Sequence, residues 1–309
     1  MTHRILITEF IAEAALERLA SCVVRYEPAL YSERDALLAA ARDVDALIVR
    51  NQTRVDQAMI DAAPKLRAVG RLGVGLDNID LDACAARNIA VLPASGANAV
   101  SVAEYVIGTA MVLLRGAFFA TGAVAAGEWP RAKLSGGAEI FGRTLGLVGF
   151  GTIAEAVAVR AQALGMAVSA YDPHRPADDP AWSGVTRETD LGALLASADV
   201  ISLHVPLTAE TRKLIDEAAL AGMKPAAVLI NTARGGIIDE AALAEALTAG
   251  RLAGAALDVF ATEPLKAEAG QTFAGVPNLI LTPHVAGVTA ESNVRVSVIT
   301  AENVLRALG

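Results

Sequence analysis

Aromatic side chains are scarce, with 7 Phe, 4 Tyr and 2 Trp making up 4% of 309 residues. That balance argues against an aromatic-rich all-β core and for alanine-rich helices packed on sheets. Cysteine is nearly absent. Cys22 and Cys84 lie in no CxxC pattern and at no Cys/His ligand spacing, so they are expected to be reduced structural thiols and no metal site is expected. Dense Lys/Arg runs are also missing. With 26 basic against 34 acidic residues the net charge is −8, which gives no electrostatic footprint for nucleic acid.

No apolar run reaches the roughly 18 residues of a membrane span. The nearest candidate, from Val102 to Gly127, carries Glu104 and Arg115 and reads as a buried or subunit-interface helix. At the start, Ile5-Leu6-Ile7 gives way at once to Thr8-Glu9. That is too short for the apolar region of a signal peptide and reads as a first strand, so the expected compartment is the cytoplasm. Low-complexity tracts and solenoid periods are absent as well.

Two α/β domains are predicted, since the length exceeds the roughly 100–200 residues of one domain and short apolar runs alternate with helical stretches. Strands are expected at Arg4 to Ile7, Ala46 to Val49, Ala68 to Arg71 and Ile89 to Leu92. Six more follow at Thr144 to Val148, Ala167 to Tyr171, Val200 to His204, Ala227 to Asn231, Gly254 to Asp258 and Leu279 to Thr282. A helix from about Ser101 to Phe119 separates the two series. The last helix, about Ala290 to Leu308, is expected to return to the first domain. The expected architecture is two Rossmann-like or flavodoxin-like domains with parallel sheets and a cleft between them: 1–97 with 288–309 for substrate, and 98–287 for a dinucleotide.

The strand ending at Val148 runs into Gly149-Phe150-Gly151-Thr152-Ile153-Ala154 and then a helix. Such a turn brings backbone close to a pyrophosphate at a helix N-terminus. Asp172 ends the next strand 18 residues beyond Ala154, near the roughly 20 at which a carboxylate meets the ribose hydroxyls and repels a 2′-phosphate. NAD is therefore the expected cofactor. His174 and Arg175 stand close by, and an arginine at this point can instead accept that phosphate.

Three polar clusters follow apolar strands: Asn231-Thr232-Ala233-Arg234-Gly235-Gly236, Asp258 to Pro264 and Thr282-Pro283-His284-Val285-Ala286-Gly287. Reduction of a 2-keto acid needs a cation for the carboxylate and a proton donor for the ketone oxygen. Arg234 suits the first need and His284 the second, with Glu263 placed to orient the histidine.

These clusters, with Arg71 to Asp80, Asn98 to Tyr105 and His204-Val205-Pro206-Leu207-Thr208, resemble the D-isomer-specific 2-hydroxyacid dehydrogenase family over nearly the whole chain. The resemblance implies catalytic Arg234, Glu263 and His284, and Asp258 facing the nicotinamide carboxamide. It implies further cofactor contacts at Val74, Gly149, Gly151, Thr152, Ile153, Asp172, His204, Val205, Pro206, Thr232, Ala233 and Gly287. Substrate would be held by the backbone of Gly73, Val74 and Gly75. The helix after Asn98 implies a homodimer, with residues near Trp129 reaching the partner.

Arg50, beside Asn51, and Arg71 are two more cations at strand ends. If both face the substrate, it carries a second anionic group. That region is similar to the 3-phosphoglycerate dehydrogenases and to the sulfolactate dehydrogenases, which points to 3-phosphoglycerate or (S)-sulfolactate. The alternatives are a hydroxypyruvate/glyoxylate reductase and, in another class, an NAD-sensing corepressor-like binding protein.

Overall fold

The computed structural model describes residues 2–309. The chain forms two compact units, one running to Asn98 and resumed at Val288–Gly309, the other spanning Ala99–Gly287.

The first unit is built on five parallel strands in the order β2-β1-β3-β4-β5. They are β1 (Arg4–Ile7), β2 (Val23–Tyr26), β3 (Ala46–Val49), β4 (Ala68–Arg71) and β5 (Ala90–Pro93). Side chains alternate across the sheet. Ala46 and Ile48 of β3 pack with Val296 and Val304 of the last helix, while Leu47 and Val49 pack with Met59 and Ile60. Central β3 is buried on both faces and reads as a continuous apolar run.

The last helix, Ala290–Leu308, lies hard against β4. A Cβ on Gly70 would meet Val304 Cγ2 at 2.6 Å and Thr300 Cγ2 at 2.8 Å. Thr300 Oγ1, which donates to the Val296 carbonyl at 2.8 Å, also stands 3.2 Å from the Arg71 carbonyl. A reciprocal cap fixes where this helix starts, with the Ser292 amide on Thr289 Oγ1 and the Thr289 amide on Ser292 Oγ.

The second unit carries seven parallel strands in the order β12-β11-β10-β9-β6-β7-β8. They are β6 (Thr144–Val148), β7 (Ala167–Tyr171), β8 (Thr186–Glu188), β9 (Val200–Leu203), β10 (Val228–Asn231), β11 (Gly254–Leu257) and β12 (Leu279–Leu281). The sequence pattern predicts six. The seventh, β8, is a polar edge strand that pairs only with β7. The strand order reverses between β6 and β9, which places a ligand crevice at their carboxyl ends.

The helix Ala99–Arg115 buries Val102, Val106, Ala110 and Leu113 on this unit. The sequence pattern carries it to Phe119. It stops at Arg115 because Gly116 takes φ +64°, and a 3-10 turn (Ala117–Ala120) and a short helix (Thr121–Ala125) follow. Among the described residues no single helix is long and apolar enough to cross a membrane. Ala99–Arg115 and Ala117–Ala125, bent by 67°, reach that length and apolarity only when taken together.

Candidate active site

β6 delivers the glycine turn. Gly149 has φ +85°, and a Cβ there would meet the His204 carbonyl oxygen at 2.7 Å and Val205 Cγ1 at 2.9 Å. Only glycine lets this turn lie against the segment leaving β9. The helix that follows, Thr152–Ala163, begins at Gly151 with no side-chain cap and open space around the position a Cβ would take. Three other helices of the unit are capped by Asp190, Asp216 and Asp239. The amide donors of Thr152 and Ile153 are thus left without a capping side chain, as an anion site requires.

Asp172 follows β7 and braces the turn, with Oδ2 accepting from the Phe150 amide and Oδ1 from the His174 amide, each at 2.9 Å. At the end of β10, Thr232 Oγ1 is buried with no hydrogen-bond partner among the described residues, a donor or acceptor left for a ligand. The chain's own groups therefore fit a dinucleotide.

His204 bonds Ser202 Oγ through Nε2 at 2.9 Å, and burial pulls its pKa down to about 4. Its ring is a neutral internal group, while its carbonyl backs the glycine turn.

The three polar clusters lie at the ends of β10, β11 and β12. Asn231 shapes the first: its Oδ1 accepts from the Ala233 amide at 3.0 Å and its Nδ2 donates to the Arg234 carbonyl at 2.9 Å. Arg234 Nη1 donates to the Ala233 carbonyl at 2.6 Å. Next to it, a Cβ on Gly235 would fall 1.8 Å from the Phe260 carbonyl oxygen, so the Arg234 turn is pressed against the loop that follows β11. That loop carries Glu263, whose Oε1 accepts from the Phe260 amide at 3.0 Å and whose Oε2 meets His284 Nδ1 at 2.7 Å. With Nδ1 given to the carboxylate, Nε2 remains for a substrate. His284 adopts φ +57° and its amide donates to the Asp258 carbonyl at 2.8 Å.

Asp258, only 1% exposed, gathers the His284 segment. Its carboxylate accepts from Thr282 Oγ1 at 2.6 Å and from the Val285 and Ala286 amides, both at 2.8 Å. The Thr282 hydroxyl has one proton and gives it to Asp258, so the Tyr105 hydroxyl, 2.6 Å away, is the donor to Thr282. Burial raises the Tyr105 pKa and the Asp258 charge adds to that, against the Thr282 bond.

Two further positioning groups escape a reading of the sequence. Tyr105 stands in a family-like motif with no role attached. Glu240 accepts from the Ala261 amide at 2.6 Å, and its pKa is raised by burial and by the charges of Asp239 and Glu263. No local pattern announces either contact.

In the first unit, Glu9, 3% exposed, collects the amides of Arg50 (2.7 Å), Gln52 (3.1 Å) and Thr53 (3.0 Å). Asn78 ties the Arg50 and Thr53 carbonyls. The Arg50 guanidinium bonds Asn293 Oδ1 at 2.5 Å and lies 5.9 Å from the Phe10 ring centre. Burial lowers its pKa, against the pull of Glu9. With Asn51 and Tyr31 it lines a cavity of about 310 Å³.

Arg71 folds back over its own loop. Its Nη1 donates to the Leu72 carbonyl at 2.8 Å and sits 1.7 Å from where a Gly73 Cβ would be. Val74 is exposed. No group of three His, Cys, Asp or Glu among the described residues could hold a metal ion.

Residues 107–286 match the family model described as D-isomer specific 2-hydroxyacid dehydrogenase, NAD binding domain. The chain is 58% identical over 306 residues to the (S)-sulfolactate dehydrogenase of Chromohalobacter salexigens, covering 99% of this chain and 98% of that protein. It is 44% identical over 276 residues to the D-3-phosphoglycerate dehydrogenase of Mycobacterium tuberculosis, covering 89% of this chain but only 51% of that longer protein. The crystal structure of the TT0316 protein from Thermus thermophilus superposes with a TM-score of 0.87 at 34% identity, covering 99% of this chain and 96% of that one. A match across more than half the chain, and a relative matched almost end to end, leave one conclusion: this chain belongs to the D-isomer specific 2-hydroxyacid dehydrogenase family and is an NAD-dependent oxidoreductase of small 2-hydroxy acids.

Proposed function

We propose that the enzyme interconverts (S)-sulfolactate and sulfopyruvate, with 3-phosphoglycerate the second reading. The observation that carries a dianionic substrate is Arg50. It is a partly buried cation whose pKa is lowered by desolvation, held by Asn293 at the wall of a cavity. Desolvating a guanidinium is costly, and the carboxylate that faces it, Glu9, is already taken up by the Arg50, Gln52 and Thr53 amides, so an anionic substrate group would complete its surroundings. Arg71 is the second cation for the substrate's far end, and the backbone of Gly73, Val74 and Gly75 is proposed to take its carboxylate. The end-to-end likeness to a sulfolactate dehydrogenase favours a sulfonate over a phosphate.

Bound nicotinamide supplies or accepts the hydride at C2. Thr152, Ile153 and Asp172 are proposed to hold the pyrophosphate and ribose. The proposed contacts to the rest of the cofactor come from His204, Val205 and Pro206, from Thr232 and Ala233, and from Val74, Asp258 and Gly287. Arg234 grips the carboxylate and polarises the ketone. His284 passes a proton from Nε2 to the C2 oxygen in reduction and takes it back in oxidation, while Glu263 fixes the ring and faces it with a carboxylate.

Phe118, Phe119, Val124 and Trp129 are exposed apolar side chains of the segment after the long helix, which supports a homodimer contact there. Free Cys22 and Cys84 suit the reducing cytoplasm.

The test is NADH oxidation with sulfopyruvate, 3-phosphohydroxypyruvate, hydroxypyruvate and pyruvate in parallel. A kcat/KM for sulfopyruvate at least about tenfold above the others supports the reading. Equal rates with hydroxypyruvate would replace it with a hydroxypyruvate/glyoxylate reductase.

A further inference from the structure

Three residues beyond Asp172 stands Arg175, a cation in the very segment where a 2′-phosphate would seek one. Its guanidinium is already engaged. Nη2 donates to Asp179 Oδ1 at 3.1 Å, and Nε lies 3.0 Å from Asp179 Oδ2 without the alignment of a hydrogen bond, so the ion pair is held by one hydrogen bond. Nη1 donates to Glu155 Oε1 at 2.6 Å and to the Phe150 carbonyl. The group lies 5.1 Å from the Phe150 ring centre, and Phe150 stacks on Trp182 at 4.8 Å. Only 17% of the side chain is exposed. The Phe150 peptide is therefore held at both ends, its amide by Asp172 and its carbonyl by Arg175.

We propose that Glu155 and Asp179 are specificity-determining residues. They hold Arg175 against the glycine turn, so that NAD is selected over its 2′-phosphorylated form. The proposal rests on the reading of Asp172 as the ribose carboxylate. A 2′-phosphate that recruited Arg175 would have to break two charge-assisted pairs and leave two carboxylates uncompensated beside a dianion. The site discriminates twice, by the carboxylate that repels the phosphate and by the pairs that withhold its natural partner.

The test measures NADH and NADPH affinity by fluorescence titration of the full chain, with 2′,5′-ADP against 5′-AMP by calorimetry. The variants are D172N, E155Q/D179N, the triple variant, and the triple variant with R175L. The two amides introduced by E155Q and D179N keep the shapes of the acids. In D179N the remaining side-chain oxygen can still accept the Ala181 amide, a 2.9 Å bond to Asp179 in this structure.

The triple variant is expected to bind NADPH and 2′,5′-ADP about tenfold or more tighter than D172N does, and R175L is expected to abolish that gain. In E155Q/D179N, NADH affinity is expected to fall less than NADPH affinity rises. No gain in the triple variant over D172N, or a gain that survives R175L, overturns the proposal. So does an equal loss of NADH and NADPH in E155Q/D179N, which would assign the pairs to the turn alone. An NADH/NADPH ratio unmoved by D172N marks failure of the Asp172 reading itself, and the proposal falls with it.

Discussion

Glu263 and His284 meet at 2.7 Å through Oε2 and Nδ1, while the remaining oxygen of Glu263 is occupied by the Phe260 amide at 3.0 Å. The carboxylate thus has one fixed rotamer and presents its charge to one ring nitrogen. Glu263→Gln keeps an acceptor for Phe260 but puts a neutral amide beside the imidazole. Keto-acid reduction is expected to fall about 10²- to 10⁴-fold in kcat/KM with NADH affinity little changed. A matching loss of NADH affinity would make the pair a scaffold for the cofactor instead.

Arg50 should sort substrates by charge. Arg50→Leu is expected to raise KM for sulfopyruvate by about ten- to a hundredfold, roughly the worth of a charge-assisted contact, and to leave pyruvate almost untouched. Parallel losses on both substrates would place Arg50 outside substrate recognition.

Gly235 tests how tightly the Arg234 turn is pressed on the loop bearing Glu263. An added methyl would stand 1.8 Å from the Phe260 carbonyl oxygen and 2.6 Å from the Ala261 nitrogen, both main-chain atoms that cannot rotate away. Gly235→Ala is expected to lower the melting temperature by several degrees, on the order of 1–3 kcal/mol of overpacking, and to cut kcat more than it weakens NADH binding. Wild-type melting and turnover would show that the two loops yield freely.

His204 makes stability depend on pH. Its native pKa lies at about 4 against 6.5 in the unfolded chain, so above 6.5 neither state binds the proton. Between 6.5 and 4 only the unfolded state does. The resulting stability is fully present above pH 6.5 and lost as pH falls toward 4, amounting to roughly 3 kcal/mol at most. His204→Gln removes that slope. Denaturant titrations should show the advantage of wild type over variant shrinking as pH drops from 7 to 4.5, and a constant difference would mean that the ring is not held neutral.

Legibility in the sequence follows the physics of each element. β3, Ala-Leu-Ile-Val, is buried on both faces and stands out as an unbroken apolar run, and β9 and β10 depart from one by a single polar residue each. β2 and β8 do not, because edge strands need only backbone pairing, and Val-Val-Arg-Tyr and Thr-Arg-Glu bear no core signature. The long helix reads past its end because Gly116 is one glycine among many until its φ is seen. Arg234, Glu263 and His284 are visible as polar residues where apolar strands stop. Tyr105 is not, since its partner Thr282 lies 177 positions away. The fate of Arg175 is equally hidden, because a cation looks the same in sequence whether it awaits a phosphate or is already gripped by two acids.

The close seat of the Ala290–Leu308 helix on Gly70 sets an order of events at the ribosome. β4 emerges early, but the helix that covers it is synthesised only after the whole of Ala99–Gly287. The unit Ala99–Gly287 can therefore complete its core while the unit around it in the chain still lacks this helix, its Ala68 and Ile48 face uncovered. Until that helix is made, the face of β3 and β4 that it covers lacks the partner it has in the folded unit.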